Sequence, residues 1–158
     1  EYQKQRILTF LNPDLDPMGS AYHIIQSVTA IGSGGFFGKG FGQGSQTQLK
    51  FLPVQESDFI LSVIAEEFGF MGVSVVMIIF FLFIKTLLDI AFKLSDYFSS
   101  LVIVGITSIL LSHIFINSAM TIGLLPVKGL PLPFISAGGS FLLSCFIMLS
   151  LVINLSDN

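Results

Sequence analysis

Charge is what this chain has least of. Lys, Arg, Asp and Glu together make up 11% of its 158 residues, against about 25% in an average soluble domain. The net charge is −3 and no basic block is present, which argues against a nucleic-acid partner. Cysteine is nearly missing too. Cys145, alone inside an apolar run, allows no disulfide and no cysteine metal site within the chain. No phosphate-binding fingerprint occurs. Before Gly38-Lys39 the place of the first Walker glycine holds Ser33, Gly40 follows the lysine, and there is no G-x-G-x-x-G. The chain opens on Glu1 without a basic n-region and short apolar core, so no signal peptide is expected. It reads as the interior or C-terminal part of a longer membrane protein.

What fills the chain instead is apolar. Hydrophobic residues make up 53%. Three stretches carry no Asp, Glu, Lys or Arg: Phe68–Ile84, Tyr97–Val127 and Gly129–Ser156, of 17, 31 and 28 residues. About 20 residues cross a bilayer. The first stretch reaches that length if its helix begins near Asp58. The expected fold class is an all-α polytopic membrane bundle, with spans near 59–87, 99–125 and 140–155. A loop near 88–98 and a broken segment near 126–139 join them. Lys85 and Lys93 flank the first connection and only Lys128 the second, so the positive-inside rule puts the first connection in the cytoplasm. Residues 1–57 and the "PVKGLPLP" turn then lie outside, and the C-terminus inside.

Residues 1–57 read as a large loop. Asn12-Pro13 and Asp16-Pro17 mark turns, and "AYHIIQSVTAIG" reads as a short amphipathic helix ending at Gly32. "GSGGFFGKGFGQG" holds seven glycines in thirteen residues. Such density suggests backbone packed close to a neighbour, with Phe36, Phe37 and Phe41 at the bilayer interface. Two readings of Lys39 stand here: a solvated lysine in a flexible loop, or a cation that helps loop amides cradle a lipid-borne pyrophosphate.

Acids beside an apolar run need a reason. Either Ser57 or Asp58 caps the first span, or Asp58 is a general base whose pKa is tuned by burial. On a continuous helix Glu66 lies ~12 Å beyond Asp58 and ~80° around from it, within reach of a shared cavity, while Glu67 faces away. A structural ion pair between Glu66 and a helix absent from this chain is the alternative. His113 and Asn117, four residues apart, share one face of the second span. With no third ligand nearby, interhelical hydrogen bonding is expected rather than zinc. Pro126, Pro131 and Pro133 forbid a continuous helix after it. Gly138, Gly139 and Ser140 would open the third span, where free amides favour an anion. A tight turn with no ligand is the other reading.

"RILTFLNPDLDPMGSAYHIIQSVTAIGSGGFFGKG", "FLPVQESDF…AEEFGFMG" and "NSAMTIGLLPVKGLPLPFISAGGS", in that order, resemble the SEDS proteins (shape, elongation, division and sporulation). "YHIIQS" and "GSQTQLKFLP" resemble the RodA branch more than the FtsW branch. The resemblance implies ten membrane helices, of which this chain would supply the last outer loop and the final three. It implies a peptidoglycan glycosyltransferase of the bacterial cytoplasmic membrane, acting in elongation and shape maintenance. Such enzymes polymerise lipid II, release undecaprenyl diphosphate and invert the anomeric centre. The family's essential aspartate in "T-D-F" matches Ser57-Asp58-Phe59, and Glu66 matches the first glutamate of its "EE" pair. A divalent cation, a class B penicillin-binding protein and membrane lipids are the implied associates. Lys39, Glu66, Ser136, Gly138, Gly139 and Ser140 are the substrate-binding candidates. Val54, Glu56, Lys128, Ala137 and Phe141 depart from the family pattern. Two rival readings are a transporter of lipid-linked precursor and a scaffold for a cell-wall synthase.

Overall fold

The computed structural model describes residues 20–43 and 58–156. The Asn12-Pro13 and Asp16-Pro17 turns, Val54, Glu56 and Ser57 lie outside them. The described residues form four helices: α1 Ser20–Gly34, α2 Ile60–Lys93, α3 Tyr97–Thr121 and α4 Gly139–Ser156. Among them no strand occurs. The protein is an all-helical membrane protein; α2, α3 and α4 are each long and apolar enough to cross a bilayer.

α2 is longer than expected. It runs to Lys93, leaving only residues 94–96 as the connection to α3. Nothing between Lys85 and Lys93 breaks a helix, and Lys85, Asp89 and Lys93 are exposed on its last turns. Asp96 then starts α3. Its carboxylate accepts from the backbone N–H of Ser99 at 2.9 Å and from the Ser99 hydroxyl, which satisfies one of the free first-turn donors. Those bonds, the hydroxyl first, hold the Asp96 pKa below its ordinary value.

α3 is shorter than expected. Gly123 has φ +76, its N–H donates to Met120 O at 3.1 Å, and Leu124 N–H donates to Ala119 O at 2.8 Å. That is a Schellman ending, which needs a residue that tolerates left-handed backbone. The proline segment follows without helix and leads into α4.

α1 lies against α2 and α3 through small residues. Ser27 and Ala30 are fully buried. A side chain on Gly34 would collide with Ala65 O at 1.9 Å. The Ser27 hydroxyl pairs with the Ser62 hydroxyl and donates to Thr121 O, both at 2.6 Å. Small faces let helices approach closely enough for such bonds. Below this junction, Phe80, Ile84, Leu87, Ile103, Ile106 and Leu110 pack the main core between α2 and α3.

Candidate functional site

Asp58 stands just outside α2. The helix begins at Ile60 with Phe59 as its cap residue, and no side chain caps it. Asp58 is therefore not the N-cap. The ~80° azimuth from Asp58 to Glu66 also fails, because Asp58 is not on the helix. The chain here is recruited elsewhere. Asn117 of α3, fully buried, donates through Nδ2 to Asp58 O at 3.1 Å and to Leu130 O at 2.8 Å. One turn earlier, His113 Nδ1 lies 3.3 Å from Pro131 O, and its ring stacks on Phe141 at 4.6 Å between centroids. The two residues thus hold consecutive carbonyls of the proline segment. Gly129 has φ +64, and a side chain there would stand 3.4 Å from Asp58 Oδ2. Asp58 is half-buried, and among the described residues its carboxylate has no hydrogen-bond partner. This corner joins the Asp58 carboxylate, a glycine turn and a proline segment around one buried amide.

A second junction forms where the glycine loop meets α2. The helix is interrupted at Gly69, with φ 66 and ψ −162. In an unbroken α-helix Phe70 N–H would bond Glu66 O, and Met71 N–H would bond Glu67 O. Here the loop takes both sets of groups. Lys39 N–H donates to Glu66 O at 2.9 Å and Gly40 N–H to Glu67 O at 3.0 Å. Phe70 N–H donates to Gly35 O at 2.9 Å and Met71 N–H to Phe36 O at 3.2 Å. The loop is spliced into the helical ladder. Glycine is required at the crossing: a Cβ on Gly38 would meet Glu67 O at 2.1 Å, and one on Gly69 would meet Gly38 N at 2.3 Å. The side chains follow the backbone. Lys39 Nζ pairs with Glu66 Oε1 at 2.9 Å, with Glu66 wholly buried. Glu67 Oε1 accepts from Gly42 N–H at 3.2 Å.

A family model described as the cell cycle protein family of FtsW, RodA and SpoVE matches residues 1–158. The chain belongs to that family. It is 46% identical over 143 residues to the peptidoglycan glycosyltransferase MrdB of Escherichia coli K12, covering 90% of this chain and 39% of that protein. It is 41% identical over 155 residues to the peptidoglycan glycosyltransferase RodA of Treponema pallidum, covering 98% of this chain and 36% of that protein. It is 44% identical over 155 residues to a probable peptidoglycan glycosyltransferase FtsW of Trichlorobacter lovleyi, covering 98% of this chain and 40% of that protein. A chain from a peptidoglycan synthase complex solved to explain how polymerization and crosslinking are coordinated superposes with a TM-score of 0.80. It is 28% identical, and the match covers 99% of this chain and 42% of that one. The chain spans about two fifths of the length of the FtsW, RodA and SpoVE relatives it matches.

In this FtsW/RodA/SpoVE chain the other candidate residues are dispersed. Lys39 is paired with Glu66 rather than standing solvated in a flexible loop, so the ion-pair partner of Glu66 comes from the glycine loop and not from a missing helix. Neither residue joins the Asp58 corner. Ser136 is buried and closes a turn: Leu132 N–H donates to its hydroxyl at 2.8 Å, and its own N–H donates to Leu132 O at 3.1 Å. Phe134, at φ 63, is held there by edge contacts with Phe83 and Phe146. Gly138 O accepts from Leu142 N–H, while Gly139 and Ser140 are exposed at the start of α4. Among the described residues no three His, Cys, Asp or Glu side chains gather to hold a metal ion. Those residues do not by themselves fit the divalent cation that the resemblance implies.

Proposed function

We propose that the chain is the C-terminal part of a peptidoglycan glycosyltransferase that polymerises lipid II, with Asp58 as general base. One observation carries this reading. Asp58 holds a half-buried carboxylate, unengaged among the described residues, at the start of a membrane helix beside a turn of glycine and proline. A carboxylate so placed can take the proton of a sugar 4-hydroxyl as that oxygen attacks the anomeric carbon of the neighbouring unit. Undecaprenyl diphosphate leaves from the opposite face, so the configuration inverts. The names of the MrdB and RodA relatives support the reaction class.

The same reading places residues 1–57 and Asp58 outside the cytoplasmic membrane and residues 94–96 inside. It takes a class B penicillin-binding protein as partner, supported by the likeness to a chain of a synthase complex. A role in elongation follows from the RodA-like "YHIIQS" and "GSQTQLKFLP". Lys128, exposed next to Gly129, is the described cation nearest in sequence to the Asp58 corner. A transport path would need open polar groups through the membrane depth. Glu66, His113 and Asn117 are instead engaged by Lys39 and by backbone carbonyls.

The test is glycan-strand assembly from purified lipid II by the full-length protein with its partner. Asp58→Asn should fold and lose ~10²–10⁴ in rate. Near-normal assembly by that variant refutes the base.

A further inference from the structure

Asn117 sits where three parts of the chain meet, and each proton of its amide is used. One goes to Asp58 O and the other to Leu130 O. The Asp58 carboxylate, on the other side, lies against Gly129. So the backbone of Asp58 is tied to α3, its side chain abuts the turn, and the turn is tied to the same buried amide. The Asn117 Oδ1 is buried without a partner among the described residues, an arrangement that costs stability. The side chain is thus placed for its two donors, at the expense of its acceptor. Leucine would give neither bond, serine has one proton to give, and aspartate would set a buried charge against two carbonyl oxygens.

We infer that Asn117 is a positioning residue for Asp58, fixing the carboxylate relative to the proline segment. The inference rests on the proposed role of Asp58 as base. Proton transfer demands heavy atoms within about 2.6–3.2 Å, and a shift of about 1 Å can cost ~10²-fold in rate. His113 holds the next carbonyl, so the segment itself stays in place when Asn117 is shortened. What is lost is the tie between the segment and Asp58.

The experiment compares kcat and KM for lipid II polymerisation by the full-length protein with its partner, at matched protein levels and with melting curves. Asn117→Ala should lower kcat by ~10²-fold with KM changed by less than about twofold. Asn117→Gln, which keeps the amide on a longer arm, should recover part of kcat. Gly129→Ala removes no hydrogen bond, but at φ +64 a side chain strains the backbone and displaces the turn against Asp58, whose Oδ2 lies at contact distance, 3.4 Å, from the new Cβ. It should also lower kcat at constant KM, and it carries the test alone if Asn117→Ala fails to fold. A residue that only stabilises the bundle would lower melting temperature without separating kcat from KM. Wild-type kcat in folded Asn117→Ala or Gly129→Ala overturns the inference. If Asp58→Asn is inactive in that same case, only the positioning role falls. If Asp58→Asn also polymerises normally, the base reading falls with it.

Discussion

Replacing Gly38 with alanine should lift the glycine loop off α2. The new Cβ would stand 2.1 Å from Glu67 O and 2.5 Å from its carbonyl carbon. Both are backbone atoms, so neither can rotate away. Gly38 also has φ +78, and left-handed backbone costs a residue with a side chain roughly 1–2 kcal/mol. Undocking forfeits the exchanged backbone bonds, each worth ~1 kcal/mol net. Some return as α2 closes its own ladder across Gly69. It also draws Lys39 from Glu66. Stranding one member of a fully buried pair costs ~3–5 kcal/mol, discounted here because the Lys39 side chain is 29% exposed. The loss should total about 3–5 kcal/mol. Gly35→Ala is the control. It shares the left-handed backbone, at φ +58, but nothing lies within 4 Å of its new Cβ, so it should lose only the roughly 1–2 kcal/mol of strain. The assay is chemical denaturation of the purified full-length protein. Equal losses in the two variants would refute the spliced-loop account.

Further perturbations probe the other features. Glu66→Gln keeps the shape of the side chain and removes the charge facing Lys39; it should cost about 1–3 kcal/mol after solvent screening. Combined with Gly38→Ala it should cost less than the sum, since both disrupt one junction; full additivity would separate the pair from the loop. Cysteines at Gln43 and Ser95 should react with an impermeant thiol reagent from opposite sides of intact cells, and labelling of both from outside would end the proposed topology. Asp96→Ala should lower the melting temperature at neutral pH. Because the folded pKa of Asp96 is depressed, its contribution is whole above the ordinary value of 3.8 and fades as pH falls through the lower folded value. A gap between wild type and variant that widens on acidification would contradict the cap.

The membrane architecture was legible because it depends on local composition. Runs without charge must be buried in lipid or protein, and those runs became α2, α3 and α4. Prolines 126, 131 and 133 marked the break between the last two. Helix ends were less legible. Gly123 signals where α3 stops, but an apolar run continues through it to Val127. Lys85 and Lys93 look like loop residues, yet a helix leaving the membrane keeps turning until something stops it. The two corners were hidden for a different reason. A glycine within "EEFGFMG" reads as an ordinary interior glycine; only the distant "GGFFGKG" makes it a break. Asp58 has every local feature of a cap, and Asn117 overrides them from another helix. Seven glycines in thirteen residues did announce a close approach, without naming the surface approached.

The spliced ladder bears on how α2 enters the bilayer during synthesis. The uncharged part of α2 after the break, residues 70–84, rises only ~22 Å at 1.5 Å per residue, short of the ~30 Å hydrocarbon layer. A span that leaves the membrane by Lys85 therefore carries the break at Gly69 within its length. Hydrocarbon offers no partner for the amides of Phe70 and Met71 or the carbonyls of Glu66 and Glu67. A nascent α2 on its own satisfies them by remaining a continuous helix through Gly69. The glycine loop precedes α2 in the chain and is already made when the helix is inserted. Docking then exchanges one set of bonds for another without leaving any group bare for long. The break is acquired after insertion, as an act of tertiary folding, and the translocation machinery handles a straight rod.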